Sequence, residues 1–295
     1  MTSLTVRHET RYEYATPVVL SRQLLHLTPR PDAHQEVGEH HIRIAPTPAE
    51  STSLVDYFGN QVSQATITES HRTLVIAAES TVTLHQRPAP PELPHWESVR
   101  DQLAALAGDG VLDATRFAHD SPYIERNAAI RAYAAPCFTP RRPYVEALVD
   151  LKARIHADFE FDPAATSVAT PLSDVLRERR GVCQDFAHLM IACLRSVGLA
   201  ARYVSGYILT APPPGMPRLV GSDASHAWVS AWCPGLPGAW LDLDPTNDCL
   251  VATEHVTLAW GRDFHDVTPT RGVIMGGGEQ ELTVAVTVVP ATAGP

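Results

Sequence analysis

Positive charge is scarce in this chain. Its 295 residues carry 23 Lys and Arg against 33 Asp and Glu, a formal net charge of -10. The densest basic run, Arg177-Glu-Arg-Arg180, is too small a footprint for nucleic acid or an anionic membrane, so neither is expected as a partner. Long apolar runs are missing as well: none approaches the ~18 residues of a membrane span. The opening residues, Met1-Thr-Ser-Leu-Thr-Val-Arg-His-Glu-Thr10, place charge where a signal peptide needs an apolar core, and a cytoplasmic location is the expectation. Cysteine is sparse and odd in number, at Cys137, Cys183, Cys193, Cys233 and Cys249. That disfavours a disulfide framework and fits a reducing compartment. No CxxC, HExxH or Gly-rich phosphate loop occurs, so neither a metal nor another cofactor is expected.

Proline, in contrast, is abundant at 25, and with 44% hydrophobic and 19% charged residues the composition is that of a globular chain rich in punctuated strands. The length suggests about two domains. Leu4, Val6, His8, Thr10, Tyr12 and Tyr14 follow a period of two, and further short strands surround Ile42, Val62, Leu74 and Val82. Arg87-Pro-Ala-Pro-Pro-Glu-Leu-Pro94 cannot sustain a helix or a central strand and reads as a linker. Beyond it the spacing predicts helices over 98–107, 121–134, 144–159 and 171–180. A further helix, nearly apolar all round and therefore buried, runs from Cys183 to Val197, with Gly198 at its stop. Strands return at 201–209, 226–232, 239–243 and 282–289. Strands, helices and strands in that order predict an α+β fold, one buried helix lying on an antiparallel sheet.

Of the five thiols, Cys183 stands apart. It follows Gly181-Val182 and opens the buried helix, where the partial positive charge of the helix end favours a thiolate and an unpaired N–H can meet an oxyanion. A nucleophilic thiol needs a base, and the base an orienting group. His226 lies 43 residues on and shares a strand face with Trp228 and Ser230. Asp244, 18 residues further, would sit beside it if a hairpin turns through Pro234–Gly238. Asp242 has the same parity and competes for that role; Pro245, marking the strand end, favours Asp244. Cys193, mid-helix on the apolar stripe, reads as packing.

These segments closely resemble the core of the bacterial transglutaminase-like superfamily: Arg180-Gly-Val-Cys-Gln-Asp-Phe-Ala-His-Leu189, Ser225-His-Ala-Trp228 and Trp240-Leu-Asp-Leu-Asp-Pro-Thr-Asn247. The resemblance implies Cys183 as nucleophile, His226 as base and Asp244 as its orienting group. Tyr12-Glu-Tyr-Ala-Thr-Pro-Val18, Leu27-Thr-Pro-Arg30 and Asp56-Tyr-Phe-Gly-Asn60 resemble the β-rich N-terminal domain that precedes this core in bacterial members. The expected architecture is therefore a β-sandwich-like domain over 1–90 and a papain-like catalytic domain over 91–295, with its core at about 144–268 and a last strand at about 280–290. The extra β domains of the animal cross-linking enzymes are lacking, and with no calcium-loop pattern, calcium activation is not expected. The implied chemistry attacks the amide of a protein or peptide through a thioester. The acyl group then passes to an amine, as in a transglutaminase, or to water, as in a protease or amidase. A non-catalytic binding module and acetyl transfer from coenzyme A are the competing readings.

Other residues carry smaller expectations. Gln184 and Trp228 are candidates for touching substrate, and Tyr207 for assisting an oxyanion. His188 reads as a core histidine. Asp185 reads as a helix-dipole partner, because a carboxylate beside Cys183 would oppose a thiolate. The loop Pro212–Pro217 reads as a surface connection rather than a lid, and Asp223 and Ser225 as residues that shape the cleft.

Overall fold

The computed structural model describes residues 1–90, 92–108, 110–210 and 225–291. The Pro212–Pro217 loop and Asp223 lie outside them. The chain is α+β: five strands, then mostly helices, then strands again. The first strand, β1 (Thr2–Leu25), is 24 residues long, and Leu4, Val6, His8, Thr10 and Tyr14 turn alternately inward as their spacing predicts. Around Ala15–Pro17 the pattern breaks, its register shifts, and the strand changes neighbours. Its first half pairs with β5 (His71–Leu84), itself beside β2 (Gln35–Ala45). Its second half pairs with β4 (Gln61–Ile67), itself beside β3 (Glu50–Val55). One hydrogen-bonded sheet thus does the work of a sandwich. Leu25, Ala65 and Ile67 of one half share a cluster with Leu74, Ile76 and Ala78 of the other.

The helices are α1 (Trp96–Ala104), α2 (Val111–Thr115), α3 (Ala128–Ala134) and α4 (Tyr144–Asp158), then α5 (Leu172–Glu178) and α6 (Cys183–Ser196). Two short parallel strands, β6 (Glu160–Phe161) and β7 (Arg180–Gly181), flank α5. The helix expected over 121–134 is shorter than its spacing suggests. Ser121 and Ile124 pair as a bridge, and Asn127 caps α3 by accepting the N–H of Ile130 at 2.9 Å. An asparagine competes for backbone groups and so starts a helix more readily than it continues one. The helix α6 follows its expected bounds. Phe186 through Leu194 are buried, and Gly198, at φ +87, ends it in the left-handed region.

The second sheet comprises β8 (Ala201–Ile208), β9 (Ser225–Trp232), β10 (Trp240–Asp244), β11 (Cys249–Leu250) and β12 (His255–Gly261). All are antiparallel, in the order β11-β10-β9-β8-β12. The helix α6 packs against β8 and β9 on the face that carries Ala227, Val229 and Ala231. The sequence reading passed over β12, which is buried along its length and so shows no alternation.

The last two strands, β13 (Thr270–Gly276) and β14 (Gln280–Pro290), return to the first sheet. The expectation grouped this tail with residues 91–295. Its hydrogen bonds run to β1 instead: Val286 pairs with His8 and Val288 with Val6, which buries both valines. The proline-rich stretch parts the chain but not the core, since Leu4, Val6, Val82, Leu84, Val286 and Val288 share one cluster with the helices. Two buried amides fasten the parts together along the edge strand β12. Gln35 exchanges hydrogen bonds with both backbone groups of Thr257, and Asn60 does so with Trp260, all at 2.8–3.0 Å. An open sheet edge is thereby closed by side chains.

Candidate active site

Cys183 is the first residue of α6 and is part-buried, while Cys137, Cys193 and Cys233 are buried. The turn before it explains its glycine. Asp185 folds back so that its carboxylate accepts the N–H of Val182 at 2.8 Å and the Thr166 hydroxyl at 2.6 Å. A Cβ on Gly181 would lie 2.6 Å from that carboxylate, so only glycine leaves it room. Burial pushes the Asp185 carboxyl up, partly offset by these two donors. Asp185 thus braces the turn that presents the thiol, in keeping with its reading as a helix-end residue.

His226 and Asp244 meet as the expected hairpin allows. With Asp242 opposite Ser230 and Leu243 opposite Val229, Asp244 falls across from Trp228, one diagonal step from His226. His226 Nε2 is 2.7 Å from Asp244 Oδ2. Asp242 lies further along the strand and pairs with Arg87 at 3.0 Å. The Cys183 sulfur approaches the Ser225 carbonyl at 4.0 Å, next to His226. Burial disfavours a charged His226. Hydrogen bonds with Asp244 and Cys183, and then the charges of the same two groups, outweigh it and push the imidazole up to about 9.

Asp244 is fully buried and heavily donated to. Its Oδ2 receives His226, the Asn247 amide at 2.7 Å and His255 Nε2 at 3.1 Å. Its Oδ1 accepts the backbone N–H groups of Thr246 and Asn247 at 2.9 and 3.1 Å. Burial opposes the carboxylate, but the hydrogen bonds from His226 and His255 and the His226 charge hold it far below the ordinary range. His255 and Asn247 were not singled out in the sequence. Asn247 was legible in principle, since an Asp-Pro-Thr-Asn turn brings the fourth residue back over the first. His255 comes from β12, two strands from β9, and nothing local signals it. Among the described residues, His226, Asp244 and His255 form the one group able to close on a metal ion, their ligand atoms all within 4.8 Å. The Nε2 atoms of both histidines hydrogen-bond to Asp244 Oδ2.

Two further expectations are corrected. Trp228 is fully buried and cannot touch substrate: its ring lies against Gly206, where a Cβ would meet it at 2.5 Å, and edge-on to His255 at 5.3 Å. It packs beneath the imidazoles rather than walling a cleft. Tyr207 is equally buried, and its hydroxyl is committed to His8 Nδ1 at 2.8 Å, so it does not face an oxyanion. Gln184 stays in the first turn of α6, part-buried. His188 is a core histidine whose Nε2 accepts the N–H of Phe264 at 3.1 Å, and burial pulls it down to about 3. Burial pushes the thiols of Cys137 and Cys249 up to about 11 and that of Cys233 to about 12, and also raises Cys193.

A chain with a helix-borne thiol above a histidine–aspartate hairpin belongs to a recognisable class, and comparison with known proteins agrees. Residues 4–83 match the bacterial transglutaminase-like N-terminal region and residues 131–245 the transglutaminase-like superfamily. The chain belongs to this superfamily, in the bacterial architecture that joins the two regions. An uncharacterised protein of Mycobacterium tuberculosis H37Rv is 45% identical over 293 residues, covering 97% of this chain and 92% of that one. A protein-glutamine gamma-glutamyltransferase of Pseudomonas aeruginosa is 32% identical over 133 residues, which is 39% of this chain and 19% of that one. A solved structure from Cytophaga hutchinsonii, described as that of a candidate cysteine protease, shares the fold at a TM-score of 0.76 and 20% identity. It covers 99% of this chain and 92% of its own.

Proposed function

We propose that this protein is a thiol acyl-transfer enzyme in which Cys183 attacks a protein or peptide amide, His226 is the acid–base group and Asp244 orients it. The observation that carries this reading is the 2.7 Å contact of His226 Nε2 with a buried Asp244. It leaves Nδ1 as the ring atom for the thiol. Nothing in a plain structural role requires a buried aspartate to hold a histidine beside the one thiol that opens a helix.

The thiol gives its proton to His226 and the sulfur adds to the amide carbonyl. The oxyanion is met by backbone N–H groups at the start of α6, which have no intrahelical acceptor. The imidazolium, favoured by Asp244, protonates the leaving amine or ammonia, and a thioester on Cys183 remains. His226 then deprotonates an amine or water, and its attack releases the acyl group. Gln184, in the same helical turn, is the side chain nearest in sequence for holding the amide.

Incubation with a glutamine-containing peptide library, with and without a primary amine, followed by mass spectrometry tests the reading. Amine adducts identify a transglutaminase, glutamine-to-glutamate conversion an amidase, and fragments a protease. All three should vanish in C183A. The absence of any modification by a folded wild-type protein, together with slow, uniform alkylation of all its cysteines by iodoacetamide, would overturn the proposal in favour of a binding module.

A further inference from the structure

A second site lies on the same face of the five-stranded sheet, at the other end of its strands. Arg202 is four residues along β8 from Gly206, the partner of His226. That is roughly 13 Å by strand rise. A cavity of about 430 Å³ opens there, between this face and the turns of the N-terminal sheet. That volume is in the range of small-molecule sites.

Arg202 is the unusual group in its wall. Its side chain is only 8% exposed, and its guanidinium carbon lies 4.3 Å from the Trp240 ring and 3.6 Å from the Trp260 ring. The two indoles crowd the guanidinium, and its N–H groups are what it can offer a ligand. Its Nε finds no hydrogen-bond partner among the described residues. The other arginines of the cavity each have at least one partner. Arg87 is paired with Asp242, Arg116 with Asp113, and Arg30 donates to the Phe58 carbonyl and to Asn60. A buried cation is costly to leave unpaired, and the fork of a guanidinium matches a carboxylate. Burial also pulls Arg202 down to about 9, against the pull of Asp242, and a bound anion would reverse that.

We propose that this cavity binds a small monocarboxylate with a flat apolar body, its carboxylate forked on Arg202 and its body against Trp240 and Phe117. The body is called for by the walls: Phe58, Phe117 and Trp240 meet ring to ring at 5.8 and 5.4 Å along the lining. A single charge is called for by the lining, where Arg30, Arg87, Arg116 and Arg202 face Asp32, Asp113 and Asp242, a balance of one positive charge that a dianion such as phosphate would exceed. The site is independent of the thiol chemistry, because none of its residues belongs to the Cys183 cleft.

Benzoate is the probe, with benzamide as its neutral isostere and inorganic phosphate as the dianion. Titration followed by tryptophan fluorescence and thermal shift should show binding of benzoate, little of benzamide and none of phosphate. R202Q should weaken benzoate about 10- to 100-fold, the loss of a charged hydrogen bond. Should that variant fail to fold, a crystal of the wild-type protein soaked in 4-iodobenzoate supplies the answer, because the iodine can be located by its anomalous scattering. Iodine in the Arg202 cavity supports the proposal. Iodine elsewhere, equal binding of benzamide, or a preference for phosphate overturns it. C183A should bind benzoate like the wild type, which separates this site from the thiol chemistry.

Discussion

Replacing Asp244 by asparagine tests the heart of the site, because it keeps the shape and removes the charge. In the wild-type protein His226 is raised from 6.5 to about 9, with burial opposing the rise and the hydrogen bonds to Asp244 and Cys183 first among the groups producing it. At about 1.4 kcal/mol per pH unit, the rise corresponds to about 3 kcal/mol in favour of the imidazolium. The sign follows from linkage: a histidine raised on folding adds stability in full below its unfolded value, and loses it as pH climbs through its folded value. Wild-type stability should therefore fall between pH 6.5 and about 9. D244N should lose much of that slope, since what remains is burial, which pulls His226 down, and the contact with Cys183. Asp244 adds a second window on the acid side. Its carboxyl is lowered on folding, so its contribution is present above the ordinary carboxylate range and disappears as pH falls through the folded value. The two windows describe one shared interaction and do not add. Any thioester formation should slow by about 100-fold, the rate equivalent of 3 kcal/mol in imidazolium stability. The assays are thermal unfolding from pH 3 to 10 and pre-steady-state acylation. A wild-type profile as steep as that of D244N, or equal acylation rates, would refute the reasoning.

H255Q keeps a donor but shortens its reach to Asp244, and the loss of one hydrogen bond to a charged, buried oxygen should cost about 1.5–3 kcal/mol in urea unfolding. The same variant should lower the His226 titration midpoint less than D244N does, as read by NMR of the imidazole. G181A should be destabilised by about 1–3 kcal/mol, because its methyl group would strike the Asp185 carboxylate. Combining it with D185A should recover part of that stability while leaving alkylation of Cys183 slow, since the turn is then unbraced.

Some of this protein is written locally. The pattern of β1 over Leu4–Tyr14, the apolar girth of α6, its glycine stop and the Gly181 turn each depend on residues a few positions apart, and the structure agrees with them. So does the His226–Asp244 hairpin, because one short connection, from Trp232 to Trp240, makes the two strands antiparallel neighbours. Even there, parity could not choose between Asp242 and Asp244. Pro245 favoured Asp244, and the reason for it lies nearby in space: Arg87 beside Asp242, two histidines and an asparagine amide around Asp244.

What the tertiary structure alone decided depends on contacts distant in sequence. The pairing of β14 with β1 joins the two ends of the chain, and no local period can announce a partner some 280 residues away. Trp228 and Tyr207 looked available because strand position reveals a face and not what covers it; Gly206 and His8 cover them. His255 reaches Asp244, and Trp260 meets Arg202, only because β12 pairs at the edge of the sheet. The sequence singled out Cys183 and His226, and the packing of α6 on β9 brought their elements together. Packing decided which oxygen holds the imidazole and which buried cation keeps an unpartnered nitrogen.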